Sequence, residues 1–134
     1  MKIKKAYLGI GIFLFLIIGW LFVRFVIGGD EDSWIKDEKG IWVKHGNPSE
    51  TPDYVAEQKV IISKASELYE LKKTEGIEFS SQCLGTIEDY AVDVVHVPRT
   101  KEDNLVENQC EAYKNNEVNH FIELDKDGNI VRIV

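Results

Sequence analysis

The hydrophobic positions of this chain form one unbroken apolar segment, followed by a longer stretch of periodic patterns. Residues 6–23 carry no charge, and the apolar character continues past Arg24 to Gly28. A helix needs about 20 apolar residues to cross a membrane, and in lipid an isolated apolar run satisfies its backbone only as a helix. The pattern therefore predicts a single transmembrane helix, with the lipid bilayer contacted through residues 6–28.

A β-hairpin is predicted directly after this segment. Trp34 and Trp42 lie in two short stretches of strand-forming residues, on either side of a turn that contains Gly40. Ser33–Lys44 is accordingly predicted to form the hairpin, and its two tryptophan rings are expected to meet across it, since aromatic cross-strand pairs are favourable.

The remaining patterns predict alternating helices and strands. Apolar residues at spacings of three and four indicate an amphipathic helix over 53–74, with Thr51 as its capping residue, Pro52 at its first position and Gly76 after its end. Beyond it, the period changes to two. Strands are predicted at 77–84, 90–97, 119–124 and 129–134, and a short helix at 103–114.

This order of elements predicts an α+β fold, in which the long helix packs on one face of a four-stranded antiparallel sheet. The architecture resembles cystatin-like or PepSY-like folds. We divide the chain into a cytoplasmic stub and anchor (1–29), an acidic collar with the tryptophan hairpin and a linker (30–52), and an extracytoplasmic domain (53–134).

Charge is distributed unequally along the chain, whose net charge is −7. Residues 1–29 contain four basic and no acidic side chains, whereas residues 30–134 contain 12 basic and 23 acidic ones. An acidic domain repels phosphate, so nucleic acid is not an expected partner. Basic residues are retained on the cytoplasmic side, which predicts a single-pass protein of the cell membrane with its N-terminus inside and its C-terminal domain outside. A cleaved secretory signal is the alternative, but no small-residue cleavage site follows Trp20.

Cys83 and Cys110 are the only cysteines, and both lie in the exported part. An even number of cysteines in an oxidising compartment predicts a disulfide. In the chain-entropy description, closing the loop between Cys83 and Cys110 contributes roughly 3–4 kcal/mol to the stability of the folded state. The alternative is a nucleophilic cysteine paired with His96 or His120, but no C-x-x-C motif supports it.

Several groups of residues contain the side-chain types that bind metals, but a structural role is favoured for each of them. Asp93, His96 and His120 offer zinc ligands, but Asp93 and His96 point to opposite faces of a strand. Residues 125–129 resemble part of a calcium loop, although Gly128 is too early for one, so a hairpin turn is favoured. Acidic residues that are adjacent or nearly adjacent in the sequence are interpreted as solvent-exposed surface charge. We therefore predict neither a metal nor a cofactor, and no catalytic residues.

The loop around Arg99 is the most plausible position for binding chemistry. Arg99 could form an ion pair within the fold or bind a carboxylate ligand, and the first interpretation is favoured. Together with Trp34 and Trp42, Arg99 makes up the predicted binding surface.

The segment WIKDEKGIWVKHGNP, from Trp34 to Pro48, resembles a segment of small, single-pass, uncharacterised envelope proteins of archaea and candidate-phylum bacteria. In those proteins it also follows the anchor directly. They usually carry one cysteine two residues after the first tryptophan and another after the proline, whereas this chain has Lys36 at the first position and no cysteine up to Gly76. The resemblance implies an envelope location but no activity.

These observations predict a membrane-anchored extracytoplasmic binding or interaction domain without catalysis, whose partner is an envelope protein or peptide. An inhibitor or modulator of an envelope protease is the first alternative. A thiol- or metal-dependent hydrolase is the second.

Overall fold

The computed structural model describes residues 2–27 and 32–134, which fall into two compact units. The first unit contains the N-terminal helix, residues 32–35 and Val43–Thr51. The second contains Lys36–Trp42 and Pro52–Val134. The predicted helix end at Gly28 and most of the acidic collar at 30–32 lie outside the described residues.

The N-terminal helix, α1, runs from Lys2 to Phe22 and continues as a π-helical turn over Val23–Ile27. Its stretch Gly9–Val26 has a mean hydropathy of 2.4 and is not buried by the rest of the protein. In the described part of the chain it is the one helix long and apolar enough to cross a membrane. A helix of this kind near an N-terminus is typical of a membrane anchor or a signal sequence.

The predicted hairpin and long helix are both present. Strands β1 (Ser33–Lys36) and β2 (Trp42–His45) pair with each other, and helix α2 spans Asp53–Thr74, as the periodicity predicts. The predicted cap is wrong. Pro52, in an extended conformation, occupies the N-cap position instead of the first helical position, and no side chain caps the helix.

The main sheet is mixed, which corrects the antiparallel arrangement predicted from the sequence. Its strand order is β3-β4-β5-β6, and the central pair β4 and β5 is parallel. The long connection 95–119 allows this, because it returns the chain to the same end of the sheet before β5 begins. The four strands are Gln82–Ile87 (β3), Tyr90–Val94 (β4), His120–Leu124 (β5) and Ile130–Ile133 (β6).

Helix α2 packs chiefly against the edge strand β3, which corrects the prediction that it packs on one face of a four-stranded antiparallel sheet. Its buried residues Ile61, Ala65 and Tyr69 join a cluster of apolar side chains from the sheet. Burial of each large aliphatic side chain contributes roughly 1.5–3 kcal/mol, so this cluster is the main source of stability. The sheet members are Leu84, Val92, Val94, Ile122, Leu124 and Ile133.

The segment after β4 differs most from the prediction. Strand β4 ends at Val94 because the backbone N–H of His96 donates to the Asp103 carboxylate (3.0 Å) instead of to a neighbouring strand. The single helix predicted over 103–114 is replaced by three short elements. These are 3-10 turns at Glu102–Asn104 and Val106–Asn108, and helix α3 at Glu111–Lys114.

Candidate functional site

A groove of about 630 Å³ lies within the second unit, beside the tip of the hairpin and helix α2. Its rings are Trp42, Tyr54, Tyr90 and His120, and we call it the aromatic groove. The ring centroids of Trp42 and Tyr54 are 4.7 Å apart, and those of Tyr90 and His120 are 4.9 Å apart. Paired rings of this kind offer flat, partly exposed apolar surface to a ligand.

The position of Trp42 is fixed by Gln58, a residue of α2 that is only 8% exposed. The Gln58 Oε1 atom accepts the backbone N–H of Trp42 (2.8 Å), and its Nε2 atom donates to the carbonyl oxygen of Gly40 (2.9 Å). A buried amide that satisfies two backbone groups holds the hairpin tip against the helix. Trp42 is therefore presented on a rigid support.

The aromatic groove carries negative charge. Glu57, Glu88 and Asp89 all line it. Hydrogen bonds from the side chain and backbone of Asn119 lower the pKa of Asp89, so this carboxylate is ionised at neutral pH. The Lys36 ammonium lies 5.3 Å from the centroid of the Trp42 ring. The groove thus already accommodates a cation on an aromatic face, a favourable arrangement.

Arg99 lies elsewhere, in an ion-pair cluster centred on Glu123, which is 5% exposed. The Arg99 Nη1 atom donates to Glu123 Oε1 (2.8 Å), and Arg132 donates to both carboxylate oxygens of Glu123 (3.1 and 3.2 Å). Arg99 also donates to Asn104 Oδ1 and to the carbonyl oxygen of Asp103, both at 3.1 Å. Arg99 therefore makes the ion pair within the fold that was the favoured interpretation.

A second buried acid, Asp103, organises the same loop. Burial raises the pKa of Asp103, but hydrogen bonds from Thr100 and His96 outweigh this effect and hold its pKa below the ordinary value. The Thr100 N–H donates to Asp103 Oδ2 (2.6 Å), and His96 Nδ1 lies 3.0 Å from Asp103 Oδ1. This carboxylate fixes the turn that carries Arg99.

The two cysteines, Cys83 and Cys110, lie at disulfide distance, as predicted, with their Cα atoms 4.8 Å apart. Asp93 is beside them, and its Oδ1 atom accepts the backbone N–H of Cys110 (3.1 Å). Burial, with a smaller contribution from the Glu123 charge, raises the pKa of Asp93 to about 6. Asp93, Arg99, Glu123 and Arg132 border a cavity of about 220 Å³.

The zinc ligands considered in the sequence are not brought together. His96 contacts Asp103, whereas His120 stacks on Tyr90 in the aromatic groove. Within residues 2–27 and 32–134, one group of three side chains could reach a single metal ion: Cys83, Asp93 and Cys110. The two cysteines of this group are joined in the disulfide.

Trp34 belongs to the first unit, where its indole N–H donates to the carbonyl oxygen of Glu50 (2.9 Å). Of the three predicted binding residues, only Trp42 lines the aromatic groove. Sequence reasoning missed Tyr54 and Glu57, which share the exposed side of α2. One acid a helical turn after an aromatic residue gives no signal in the sequence, because only the hairpin beside them makes a groove.

Comparison with known proteins does not assign this chain to a family. The chain matches no protein-family model, no curated protein and no solved structure.

Proposed function

We propose that this chain is a non-catalytic binding protein of the cell membrane, with its N-terminus in the cytoplasm and its C-terminal domain outside. The exposed apolar helix Gly9–Val26 and the three lysines before it support this arrangement.

The ligand we propose for the aromatic groove is a basic segment of an envelope polypeptide. The observation that carries this proposal is the Lys36 ammonium over the Trp42 ring (5.3 Å), in a groove bordered by Glu57 and Asp89. A lysine or arginine side chain of a partner would make the same kind of contact with the other rings of the groove, with its stem on the rings and its charge near the acids. The acidic character of residues 30–134 also attracts a basic partner over longer distances.

A fluorescence titration tests this proposal. Full-length protein in lipid nanodiscs carries Trp20→Phe and Trp34→Phe, so that Trp42 is the sole indole reporter. A lysine- and arginine-containing decapeptide is titrated against it, and a decapeptide with glutamate at the same positions serves as the control ligand. We expect a saturable change with the basic peptide, weakened by salt, and none with the acidic one.

A pair of variants assigns the site. Tyr54→Ala removes one wall of the groove and is expected to weaken binding about tenfold, within the range of cation–π and stacking contributions. The matched control is Val60→Ala, which removes apolar area from the same groove without removing a ring. Equal affinity for basic and acidic peptides, or equal effects of the two variants, would contradict the proposal.

A further inference from the structure

The disulfide and Asp93 form a second cluster that the binding function does not use. Cys83 on β3 is the direct cross-strand partner of Asp93 on β4. Cys110 precedes helix α3, and both sulfur atoms and an Asp93 carboxylate oxygen lie within 4.8 Å of one another. An acid thus lies within 4.8 Å of both sulfur atoms of a disulfide.

The two sulfur atoms differ in access. Cys83 is exposed, whereas Cys110 is 1% exposed. An incoming thiolate must approach a sulfur atom directly, and access helps to decide which of the two is attacked. Attack therefore falls on Cys83, and Cys110 becomes the leaving group.

The surroundings of the Cys110 sulfur disfavour a bare thiolate. The carbonyl oxygens of Gly85 and Val92 lie 3.4 and 3.5 Å from Cys110 Sγ. Their negative ends repel a sulfur anion but accept a hydrogen bond from a thiol. The leaving sulfur must therefore receive a proton as the bond breaks.

We propose that Cys83–Cys110 is a thiol–disulfide exchange site, at which an external dithiol attacks Cys83 and Asp93 donates the proton to Cys110. The donor's thiolate forms a bond to Cys83 Sγ, the Cys83–Cys110 bond breaks, and its electron pair goes to Cys110 Sγ. That sulfur takes the proton from the neutral Asp93 carboxyl, which becomes a carboxylate. The donor's second thiol, after losing its proton to solvent, then displaces Cys83, which takes up a proton. The donor leaves as a disulfide and the protein retains two thiols.

The charges around Asp93 are consistent with this role. Burial and the Glu123 carboxylate favour its neutral form, whereas the Cys110 N–H, Arg99 and Lys114 oppose it. Asp103 and Arg132 line the same cavity. With a pKa of about 6, a fraction on the order of one tenth of Asp93 is protonated at pH 7.

The test is the rate of reduction of the full-length protein by dithiothreitol in detergent micelles. Samples are quenched with acid, denatured and alkylated, and the mass shift reports the fraction reduced. Rates are expressed per dithiol thiolate between pH 5 and pH 8. For the wild type we expect first-order dependence on dithiol, and a rate per thiolate that falls at least tenfold between pH 5.5 and pH 7.5. Asp93→Asn is expected to give a flat profile and a rate about tenfold lower at pH 6.

Two measurements make the result decisive. A monothiol, 2-mercaptoethanol, is expected to form its mixed disulfide on Cys83, as located by peptide mass analysis. Asp127→Asn removes an exposed carboxylate and is expected to leave the profile unchanged. The proposal fails if the adduct forms on Cys110, or if the rate does not depend on dithiol concentration, because reduction then follows unfolding. It also fails if the pH profile of Asp93→Asn matches that of the wild type, or if Asp127→Asn flattens the profile as much as Asp93→Asn does.

Discussion

Single residues in this protein differ in how their charges are accommodated by the fold. Glu123 is buried, and two guanidinium groups donate to it, from Arg99 and Arg132. Asp93 is half-buried, and the partner of its carboxylate is the backbone N–H of Cys110. The first carboxylate is thus held in ion pairs, whereas burial raises the pKa of the second and favours its neutral form.

A pH dependence of stability follows for Asp93. Its pKa is about 6 in the folded protein, against an ordinary value of 3.8. Well below pH 3.8 the carboxyl is neutral in both the folded and the unfolded state, and above pH 7 it is ionised in both, at a cost only when folded. Relative to Asp93→Asn, the wild type should lose roughly 2 kcal/mol of unfolding free energy between pH 4 and pH 7.

Urea unfolding of both full-length proteins at pH 4, 5, 6 and 7 measures this difference. Asp93→Asn is a suitable probe, because its amide oxygen can still accept the Cys110 N–H. Parallel pH curves for wild type and variant would show that Asp93 titrates normally in the folded protein.

Sequence reasoning identified Cys83, Cys110 and Arg99 but not the environments that give them chemistry. The cysteine count alone indicates a pair. The proximity of Asp93 depends on which residue faces Cys83 across two strands, and the register has a bulge between Cys83 and Gly85. No local pattern encodes that irregularity, so the acid at the disulfide could not be predicted.

Elements were predicted best where their stability is local. Helix α2 has the predicted bounds, since its periodicity, its entry through Pro52 and its Gly76 end all lie within one segment. The parallel pairing of β4 with β5 was missed, because it depends on contacts between residues far apart in sequence. The same holds for the 103–114 segment, where Asp103 accepts tertiary hydrogen bonds that compete with a helix.

The hairpin tip offers a test at the scale of elements. Gly40 has φ +81°, and a Cβ atom there would collide with the carbonyl oxygen of Ile133. Nearby, the backbone N–H of Ile133 donates to the Lys39 carbonyl oxygen (2.7 Å), which joins the tip to β6. Gly40→Ala is therefore expected to destabilise the domain by about 2–4 kcal/mol, from backbone strain and the lost contact together.

Gly76→Ala is the matched control for this variant. Gly76 has φ +78°, but nothing lies within 4 Å of a Cβ added there. Only the conformational cost of roughly 1 kcal/mol is expected. Thermal unfolding of the two full-length variants compares them. Similar losses would mean that the contact between Gly40 and β6 contributes little.

At the scale of the whole molecule, the N-terminal helix and the C-terminal domain have surfaces of different polarity. The apolar stretch Gly9–Val26 is not buried by the rest of the protein, whereas the domain buries its apolar side chains in the cluster around Ile122 and Leu124. Composition predicted this division, because it requires only the position of charges along the chain.

The proposed orientation predicts a pattern of protease sensitivity. In intact cells with an outer envelope made permeable, added proteinase should digest the C-terminal domain and leave an N-terminal tag protected in the cytoplasm. Immunoblotting for tags at the two ends reads this out. Digestion of the N-terminal tag with protection of the C-terminal one would reverse the orientation, and a shortened product released into the medium would identify α1 as a cleaved signal.

The connection 95–119 has a practical consequence. It holds Arg99, Asp103 and Cys110, yet between its fixed points Val106 is 66% exposed. Insertions are tolerated best at exposed loop positions, whereas both sheet hairpins have short turns. An epitope or fluorophore grafted beside Val106 should therefore leave strand pairing intact, and would provide a handle for imaging this protein in living cells.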